Sequence, residues 1–570
     1  MQSRRRHAAA ILSVTTLLFF VCIPAGLIAF PPGLSVRQRW LPLGLRAVRR
    51  GSAATDDSAS SAHHLPMPYT EAVLLPEWEV LVLLRRANAT DAPGLRNATC
   101  VFRGGASSPA RALGSLPASG RQAYTCIMPE QARSQLHDTP LVVFDASTVI
   151  TAGDGRRSRE MLKWSDRIVY ESVAIDGADV LVFAKGVNTR KNVNRAAADI
   201  RCLYYRGDAG NAVALLPATT SAQQVFRCPP PSAATLVEHP SRELRVTLVV
   251  AGEEPIPTLA TYDPPRRPSS PVISSQVTGS TPRTGKSLIC ACTMIRDGAK
   301  FLREWVVYHA AVGVDRFYVY DNGSQDDLVD QVRLLTSAGF EIFTKTWPWP
   351  KSQEAALSHG AAVHSDSCEW MVFIDVDEFI FSQHWSRSEK PARSMLQSVV
   401  SVEQDVGQVY LWCTDFGPSG QTTHPREGVT QGYTCRRKTM ERHKSLLRLN
   451  AVDASLINSI HHFMLRPGFR KEWNTQVRVN HYKYQAWEEF KVKFHRRAPT
   501  YTVDWTEKAK LSSKDRTPGL GIEAVEPAGW PHKFCEVNDT LLRDATRRWF
   551  GVGFGNKLSR RGIISTTPDS

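Results

Sequence analysis

The pattern of apolar and polar positions at the start of the chain differs from the pattern in the rest of it. Residues 8–30 form an uncharged, largely apolar run that is long enough to cross a bilayer as one helix. Residues 31–70 are rich in Arg, Ser, Ala and Pro and have no regular period, which is typical of a flexible stem. We therefore expect a cytoplasmic tail at 1–7, a transmembrane signal anchor at 8–30 and a stem at 31–70.

Two other kinds of leader fit the same text. A cleaved signal peptide is one, although its apolar region is usually only about 7–15 residues long and ends at small residues. An organelle transit peptide is the other, because the first 55 residues contain no Asp or Glu. The orientation is open on charge alone, since five arginines follow the apolar run and three precede it.

Short apolar runs separated by Gly, Asp, Asn and Pro continue from residue 71 to residue 262. The clearest of these runs predict strands at Glu79–Leu84, Arg167–Val173, Asp179–Phe183 and Leu244–Val250. No long amphipathic helix interrupts them, so we expect a β-sandwich domain over 71–262. A Pro-rich and Ser-rich stretch follows and predicts a linker at 263–285.

From residue 286 to residue 550 the period changes, and strand patterns alternate with helix patterns. Strands are predicted at Leu288–Cys292, Phe317–Tyr320, Phe340–Phe343 and Trp370–Ile374, and helices at Ala299–Val312, from Asp327 onward and at Gln353–His364. This alternation predicts a parallel α/β sheet covered on both faces, with ligands bound beyond the carboxyl ends of the strands. Residues 551–570 are expected to be a C-terminal tail.

Composition and charge exclude some classes of protein. The apolar fraction of 42% and the charged fraction of 22% are ordinary for a folded chain. The net charge of +15 suggests a nucleic-acid binder, but 8 of those charges are arginines in the first 55 residues. No Arg-rich helix, zinc-finger spacing or RNA-binding motif accompanies the rest, so we expect no nucleic-acid partner.

The cysteines indicate an oxidising compartment. Cys22 lies in the apolar leader, which leaves ten others, and two pairs have the same spacing of 26 residues, Cys100 with Cys126 and Cys202 with Cys228. Because no CxxC or Cys/His cluster suggests zinc, we interpret these pairs as local disulfides. Free buried thiols are the alternative. Sequons for N-glycosylation begin at Asn88, Asn97 and Asn538.

Acidic side chains follow two of the predicted strands. Asp321-Asn322-Gly323-Ser324 follows the second, where a simple surface turn is the alternative. Asp375-Val376-Asp377 follows the fourth, behind a wholly apolar run. Two carboxylates so close together would repel each other in a dry crevice unless a cation lay between them. Mg²⁺ and Mn²⁺ bind such oxygen ligands and leave positions open for phosphate, so Asp375 and Asp377 are candidate metal ligands.

Several motifs between residues 286 and 500 resemble glycosyltransferase family 92, which includes the plant β-1,4-galactan synthases. They are Cys292–His309, Gly313–Ser324, Phe373–Phe379, Phe416–Gly420, Lys444–Arg448, Val479–Tyr482 and Trp487–Phe490. The strand-rich region before them resembles, more loosely, a carbohydrate-binding-like module. The fold class implied is a Rossmann-like GT-A α/β domain over 286–550, preceded by an all-β sandwich and an N-terminal transmembrane helix.

The resemblance also implies an inverting reaction that moves galactose from UDP-galactose with Mn²⁺ as cofactor. Asp375 and Asp377 would hold the metal on the diphosphate, while Arg296, Asp321, Asn322 and Ser324 would contact the nucleotide sugar. Family members usually carry Asn-Glu where this chain has Asp297-Gly298, so the glutamate carboxylate that would contact the donor is absent at position 298. A glycan on Asn322 would block the nucleotide, so we expect that sequon to be unmodified.

Other candidate site residues lie downstream. A third metal ligand is expected from His481 or His462, of which His481 is preferred because family motifs surround it. Lys444 and Arg448 could neutralise the leaving diphosphate, and a solvated basic patch is the alternative.

Inversion needs a general base, for which Asp415 and Glu427 are candidates. Trp347, Trp349 and Trp412 could stack on sugar rings or belong to the core.

Together these patterns predict a type II Golgi membrane enzyme whose partners are a UDP-sugar donor and a polysaccharide or glycan acceptor, with its catalytic domain in the lumen. A homodimer is left open. One rival hypothesis is a catalytically inactive carbohydrate-binding membrane protein. Another is a metal-dependent phosphotransferase or nuclease, but the sequence shows no further cluster of acids and histidines for a second metal.

Overall fold

The computed structural model describes residues 70–84, 98–135, 138–144, 160–175, 179–188, 193–207, 211–233, 244–263, 285–493 and 526–555. The predicted anchor at 8–30 lies outside these ranges, as do Cys22, Asn88 and Asn97. Within them, no helix has the length and apolar content needed to cross a bilayer. All the described residues belong to one compact unit.

The first half of this unit consists of strands and short 3-10 turns. The strands are β1 Thr70–Leu74, β2 Glu79–Leu84, β3 Ala98–Val101, β4 Ser107–Ser115, β5 Gln122–Ile127, β6 Leu141–Phe144, β7 Leu162–Lys163, β8 Ile168–Ala174, β9 Val180–Lys185, β10 Ile200–Arg206, β11 Ala212–Pro217, β12 Thr220–Ala222, β13 Val225–Cys228 and β14 Leu244–Val250. The 3-10 turns are Pro76–Trp78, Glu130–Gln135 and Ala197–Asp199. The four strand patterns predicted from the sequence in this half all correspond to observed strands.

The second half alternates strands with helices. Its strands are β15 Ser287–Ile295, β16 Arg316–Asp321, β17 Glu341–Thr346, β18 Cys368–Phe373, β19 Glu378–Ser382, β20 Val406–Asp415, β21 Cys435–Arg436, β22 His443–Arg448, β23 Arg470–His481 and β24 Val537–Asn538. Its helices are α1 Ala299–Val312, α2 Leu328–Ser337, α3 Gln353–Val363, α4 Ser394–Val400, α5 Val429–Gly432 and α6 Leu541–Phe550, and residues 487–493 are also helical. Its 3-10 turns are Gln383–Arg387, Leu449–Ala451 and Trp530–His532.

The strands of the first half form three sheets. Their orders are β6-β3-β4-β5-β2-β1-β7, β11-β10-β14 and β12-β13-β9-β8. The two smaller sheets enclose a core to which Val182, Phe226 and Leu248 contribute. Their neighbouring strands pair antiparallel, as short loops between consecutive strands allow.

The eight-stranded sheet of the second half has the order β17-β16-β15-β18-β22-β20-β23-β19. Strands β15 to β18 run parallel, as their alternation with helices predicts. The parallel arrangement predicted from these four strand patterns is confirmed. The rest of the sheet is mixed, because β22 pairs antiparallel with both β18 and β20, and β19 pairs antiparallel with β23. The mixed part is built by pairings between distant segments, for which the local period gives no signal.

Both faces of the α/β sheet are buried. Along β15, Ile289 and Ala291 pack into a core shared with α1, whereas Cys290 and Cys292 point into a second core. This second core also contains Leu81, Trp164 and other residues of the all-β region. The two halves of the described chain therefore share one hydrophobic core.

Four disulfides are present among the described residues. The two predicted pairs, Cys100–Cys126 and Cys202–Cys228, are confirmed. The other two, Cys290–Cys368 and Cys435–Cys535, join segments 78 and 100 residues apart. Cys292 and Cys413 are free and buried. The two long-range pairs were not predicted, because no repeat in spacing marks them.

Candidate active site

A cavity of about 570 Å³ lies at the carboxyl ends of β15 and β18. The turn after β15 contributes Arg296, Asp297 and Gly298, and the turn after β18 contributes Asp375 and Asp377. Since β15 and β18 are parallel neighbours, their carboxyl ends meet at one edge of the sheet. The remaining wall includes residues of α1, β22, β23, the loop 459–462 and the helical segment 487–493.

Lys444 is the buried cation next to the first aspartate. Its Nζ lies 3.2 Å from Asp375 Oδ2 and 2.9 Å from Glu378 Oε1, and 2.7 Å from Nε2 of His461. Glu378 in turn accepts a hydrogen bond from the backbone N–H of Asp375 at 2.9 Å. Asp375, Glu378 and Lys444 therefore form a compact network of charged groups in which each has an opposite charge beside it.

The pKa values of Asp375 and Lys444 shift as their opposite charges require, whereas burial raises the pKa of Glu378 despite the adjacent Lys444. Burial alone would raise the pKa of Asp375, but the ammonium of Lys444 and the neighbouring histidines hold it well below its usual range. Burial would lower the pKa of Lys444, and the carboxylates of Asp375 and Glu378 raise it instead. Burial lowers the pKa of His461 well below 6.5, and the adjacent Lys444 adds to the effect. The stable form is therefore an ionised Asp375 beside a charged Lys444 and a neutral His461.

His481 ends β23 and faces the second aspartate. Its Nε2 lies 3.8 Å from Asp377 Oδ2 and 3.7 Å from Glu378 Oε1. Its Nδ1 lies 3.1 Å from Asp415 Oδ1, and the other oxygen of Asp415 accepts a hydrogen bond from Lys483 at 2.9 Å. A metal-binding imidazole usually donates the hydrogen of its other ring nitrogen to a carboxylate, as His481 can to Asp415.

Asp415, a candidate general base from the sequence, is therefore engaged on both oxygens. It is 3% exposed and does not line the cavity. Burial would raise its pKa, but the hydrogen bond and charge of His481 and the ammonium of Lys483 hold it well below the ordinary value. Its contacts therefore suit it to orient His481, and they do not suit it to remove a proton from an acceptor hydroxyl. Glu427, the other candidate, lies in the turn before α5 and is not among the cavity's lining residues.

The donor set around Asp377 suits a divalent cation by its chemistry. Two carboxylates and one imidazole are ligands that Mn²⁺ accepts. Within the described ranges, no three Asp, Glu, His or Cys side chains stand at metal-binding spacing as they are. Lys493 forms an ion pair with Asp377 and so supplies the positive charge there. Lys493 was not among the predicted site residues, because it lies outside the Trp487–Phe490 motif, three residues after its end.

The loop Asp321–Ser324, at the end of β16, contacts the turn that contributes Asp297 to the cavity. Asp321 accepts from the backbone N–H of Ser324 at 2.8 Å, and Ser324 Oγ accepts from the backbone N–H of Asp297 at 3.0 Å. Asn322 donates both amide hydrogens, to the carbonyls of Trp347 at 2.7 Å and Trp349 at 3.2 Å. The three candidate nucleotide contacts of this loop thus do not line the cavity, but Ser324 holds Asp297, which does.

The remaining candidates separate into two groups. Arg296, His462 and Lys444 line the cavity together with Asp375, Asp377 and His481. Arg448 does not line the cavity. It is the last residue of β22, whereas Lys444 is near the start of that strand, and its guanidinium lies over the ring of Trp370. Six residues from five separate segments therefore line one cavity, and Arg448 is not among them.

His462 is turned toward His443 rather than toward the aspartates. Its Nε2 lies 2.7 Å from His443 Nδ1. Burial lowers the pKa of His462 to about 3, and the neighbouring His443 adds to this shift. His481 is thus the histidine that the structure brings to Asp377. Gly298, where relatives are expected to carry Glu, is tightly packed, since a Cβ there would lie 3.0 Å from Ile295 Cγ1.

Comparison with known proteins gives the same family at the level of sequence. The model of glycosyltransferase family 92 matches residues 286–511. A glycosyltransferase family 92 protein of Oryza sativa subsp. japonica is 37% identical over 469 residues, covering 76% of this chain and 77% of the relative. One from Arabidopsis thaliana is 34% identical over 532 residues, covering 90% of this chain and 88% of the relative.

Solved structures resemble the chain only weakly. Glucosyl-3-phosphoglycerate synthase from Mycobacterium tuberculosis, in complex with Mn²⁺, UDP and glucosyl-3-phosphoglycerate, is 15% identical with a TM-score of 0.17. It covers 29% of this chain, which in turn covers 58% of it. A score this low has no bearing on the reaction.

Proposed function

This chain belongs to glycosyltransferase family 92, and from that membership we propose that it is an inverting, metal-dependent hexosyltransferase with a GT-A fold. The donor is a UDP-sugar, UDP-galactose by family resemblance, and the product is a β-linked hexose on a cell-wall polysaccharide or other glycan. The observation that carries the proposal is the convergence of Asp375, Asp377 and His481 on one cavity at the carboxyl ends of parallel strands.

Asp375, Asp377 and His481 would hold Mn²⁺ together with the donor diphosphate. When bound, the metal neutralises the charge that develops on the leaving UDP. Lys444 supports the same task from the protein side, because its buried ammonium keeps Asp375 ionised. With the metal bound, Asp377 would no longer pair with Lys493, and the ammonium of Lys493 would pair with the donor diphosphate instead.

The nucleotide sugar is expected to contact Arg296 and the turn that contains Asp297, which both line the cavity. The Asp321–Ser324 loop keeps that turn in place through the hydrogen bond between Ser324 and Asp297. In this proposal Asp321, Asn322 and Ser324 position the donor site, and Asn322 stays unglycosylated because both amide hydrogens are donated.

The proposal includes the chain's setting. Residues 1–7, 8–30 and 31–70 would be the tail, anchor and stem of a type II Golgi membrane protein. Residues 71–262 would form the carbohydrate-binding-like domain, 263–285 the linker and 286–550 the lumenal catalytic domain.

Asp377→Asn is the most direct test of the proposed site. It keeps the size of the side chain but removes the charge, so we expect Mn²⁺-dependent turnover of UDP-galactose to fall by about a hundredfold or more. Asp330→Asn is the matched control, because Asp330 is an exposed residue on α2 that pairs only with Arg333. Turnover is measured with a panel of UDP-sugars, with and without Mn²⁺.

Equal turnover in Asp377→Asn and the wild type would contradict the site assignment. Absence of wild-type turnover with every UDP-sugar, while glycan binding persists, would instead support a carbohydrate-binding protein without activity.

A further inference from the structure

Five aromatic rings cluster at the rim of the cavity on the mixed part of the sheet. Trp412 and Trp473 are stacked with ring centroids 4.4 Å apart, and Tyr410 stacks on His443 at 4.9 Å. His462 packs edge-on against His443 at 4.2 Å. We call this cluster of Tyr410, Trp412, His443, His462 and Trp473 the aromatic platform.

The strand register explains why these rings meet. Tyr410 and Trp412 are two residues apart on β20 and so share one face of the sheet. His443 of β22 lies directly opposite Trp412, and Trp473 of β23 lies directly opposite Tyr410. Three strands therefore present their aromatic side chains side by side on one surface.

This surface is open to solvent. Trp473 is 41% exposed, and the other four rings are half-buried. By contrast, Trp347 and Trp349 are fully buried in the shared core, so they cannot stack on a ligand. Trp412 is thus the one sequence-predicted stacking residue that reaches a surface.

The platform is continuous with the candidate active site. His443 and His462 line the cavity, and they also belong to the platform. His443 directly precedes Lys444, whose ammonium contacts Asp375. A molecule that lay on the rings could therefore extend into the cavity without leaving the protein surface.

Aromatic rings flanked by polar groups suit a sugar chain. A pyranose has an apolar C–H face that packs on an aromatic ring and hydroxyls that bond to nearby polar groups. Here these groups include the histidine nitrogens and Lys471, whose Nζ lies 5.8 Å from the Tyr410 ring centroid. A protein partner would need a surface of about 800 Å² on each side. The charged residues Arg470, Lys471 and Glu472 bound the platform on β23 instead.

We propose that the aromatic platform is the acceptor subsite, where internal sugar units of the acceptor glycan stack while its reactive end enters the cavity. This inference rests on the proposed glycosyltransferase function. It predicts that long acceptors bind more tightly than short ones because only long acceptors reach the rings.

Trp473→Ala and Trp412→Ala test the subsite by kinetics. With UDP-galactose as donor, we expect KM for a long β-1,4-galacto-oligosaccharide to rise about tenfold. KM for galactobiose and KM for UDP-galactose should change by less than about twofold. Phe343→Ala is the matched control, because Phe343 is 43% exposed on β17, the opposite edge of the same sheet. Thermal unfolding checks that each variant is folded.

A binding measurement keeps the test independent of turnover. The wild type should be retarded in native gels that contain β-1,4-galactan or another plant polysaccharide. Trp473→Ala should be retarded less, because only binding by the carbohydrate-binding-like domain remains, and Phe343→Ala should behave as the wild type. Retardation equal in Trp473→Ala and the wild type, or no retardation of the wild type in any gel, would overturn the subsite. A wild type without turnover but with Trp473-dependent retardation would leave the subsite standing and contradict the proposed catalysis.

Discussion

At the scale of single residues, Asp415 shows how a buried charge acts on the site through another group. Its carboxylate is ionised, so it accepts the hydrogen of His481 Nδ1. If the imidazole is neutral, the lone pair of Nε2 then faces Asp377 and Glu378. Asp415 thus fixes both the tautomer and the ring orientation of the proposed metal ligand.

Glu171 in β8 is the residue for which the structure predicts a pH dependence of stability. It is 2% exposed, and its Oε2 has no hydrogen-bond partner within the described residues. Burial raises its pKa from 4.5 to about 7, although the charge of Arg121 and a hydrogen bond from the Ser172 N–H oppose the shift. Between these two pH values the folded chain keeps a proton that the unfolded chain loses.

We therefore expect Glu171→Gln to flatten part of the pH dependence of stability. In the wild type, Glu171 lowers the free energy of unfolding progressively as pH rises from 4.5 through about 7. The full effect is at most about 3 kcal/mol by linkage. Glu171→Gln should remove this decline, so that it gains stability over the wild type at pH 8 but not at pH 4.

Urea unfolding at these two pH values measures the effect. Glu389→Gln serves as the control, because Glu389 is an exposed carboxylate. If Glu171→Gln and the wild type lost equal stability between pH 4 and pH 8, the assignment of the decline to Glu171 would be wrong.

At the scale of elements, the sequence predicted those parts whose signal is local. The α1 bounds agree with the helical spacing of its apolar residues, and the Asp375–Asp377 turn follows the predicted strand directly. The mixed order of β19, β20, β22 and β23 was not predictable in the same way. Their register depends on neighbours brought in from distant segments, and no period records such pairings.

Strand β4 of the all-β region contacts the loop that supports the donor site. Arg111 donates to the carbonyl of Ser324 at 2.7 Å and to that of Gly323 at 3.3 Å. Ser324 in turn holds Asp297 at the cavity wall. The all-β region is therefore connected to the proposed donor site by two consecutive hydrogen bonds.

Arg111→Met should weaken donor binding while leaving the chemical step nearly unchanged. Loss of the hydrogen bonds frees the Gly323–Ser324 loop, so we expect KM for the UDP-sugar to rise about fivefold. Arg111→Lys should recover part of the loss. Arg103→Met is the control, because Arg103 is exposed and pairs with Asp138 within the all-β region. A fall in kcat with an unchanged donor KM would contradict this role for Arg111.

At the scale of the whole molecule, the two halves are joined by an aromatic core. Trp164 stacks on Trp349 with centroids 5.7 Å apart, and Phe183 packs against Trp347 at 5.6 Å. The sequence placed Trp347 and Trp349 correctly after a strand, but it could not distinguish core from surface there. That distinction depends on the all-β region, which covers both rings.

A chain limited to residues 286–570 should therefore aggregate. Without the all-β region it would expose Trp347, Trp349 and their neighbours as a continuous apolar patch. A chain starting at Pro66 keeps the whole compact unit and should stay monodisperse. Size-exclusion chromatography with a fluorescent probe of exposed apolar surface compares the two. A soluble 286–570 fragment with a cooperative melt would show that the shared core is dispensable.

The residues of the candidate site come from separate segments of the chain, and this explains why some of them were not predicted. Asp375, Lys444, His481 and Lys493 come from four segments, and only the three-dimensional fold brings them to one cavity. Asp375 and His481 carried local signals in their motifs. Lys493 carried none, and the role of Asp415 became visible only through its contact with His481.

The Cys290–Cys368 disulfide has a consequence for synthesis on the ribosome. In the pairs Cys100–Cys126 and Cys202–Cys228, the second partner is the next cysteine to emerge. Cys290 is different, because Cys292 emerges first and Cys368 arrives 78 residues after Cys290. A nascent chain that oxidises strictly in order of appearance would therefore join the wrong thiols. We therefore expect the bond between β15 and β18 to form only after Cys368 has emerged or by exchange from another pairing, so that it should depend on a disulfide isomerase more than the two pairs 26 residues apart do.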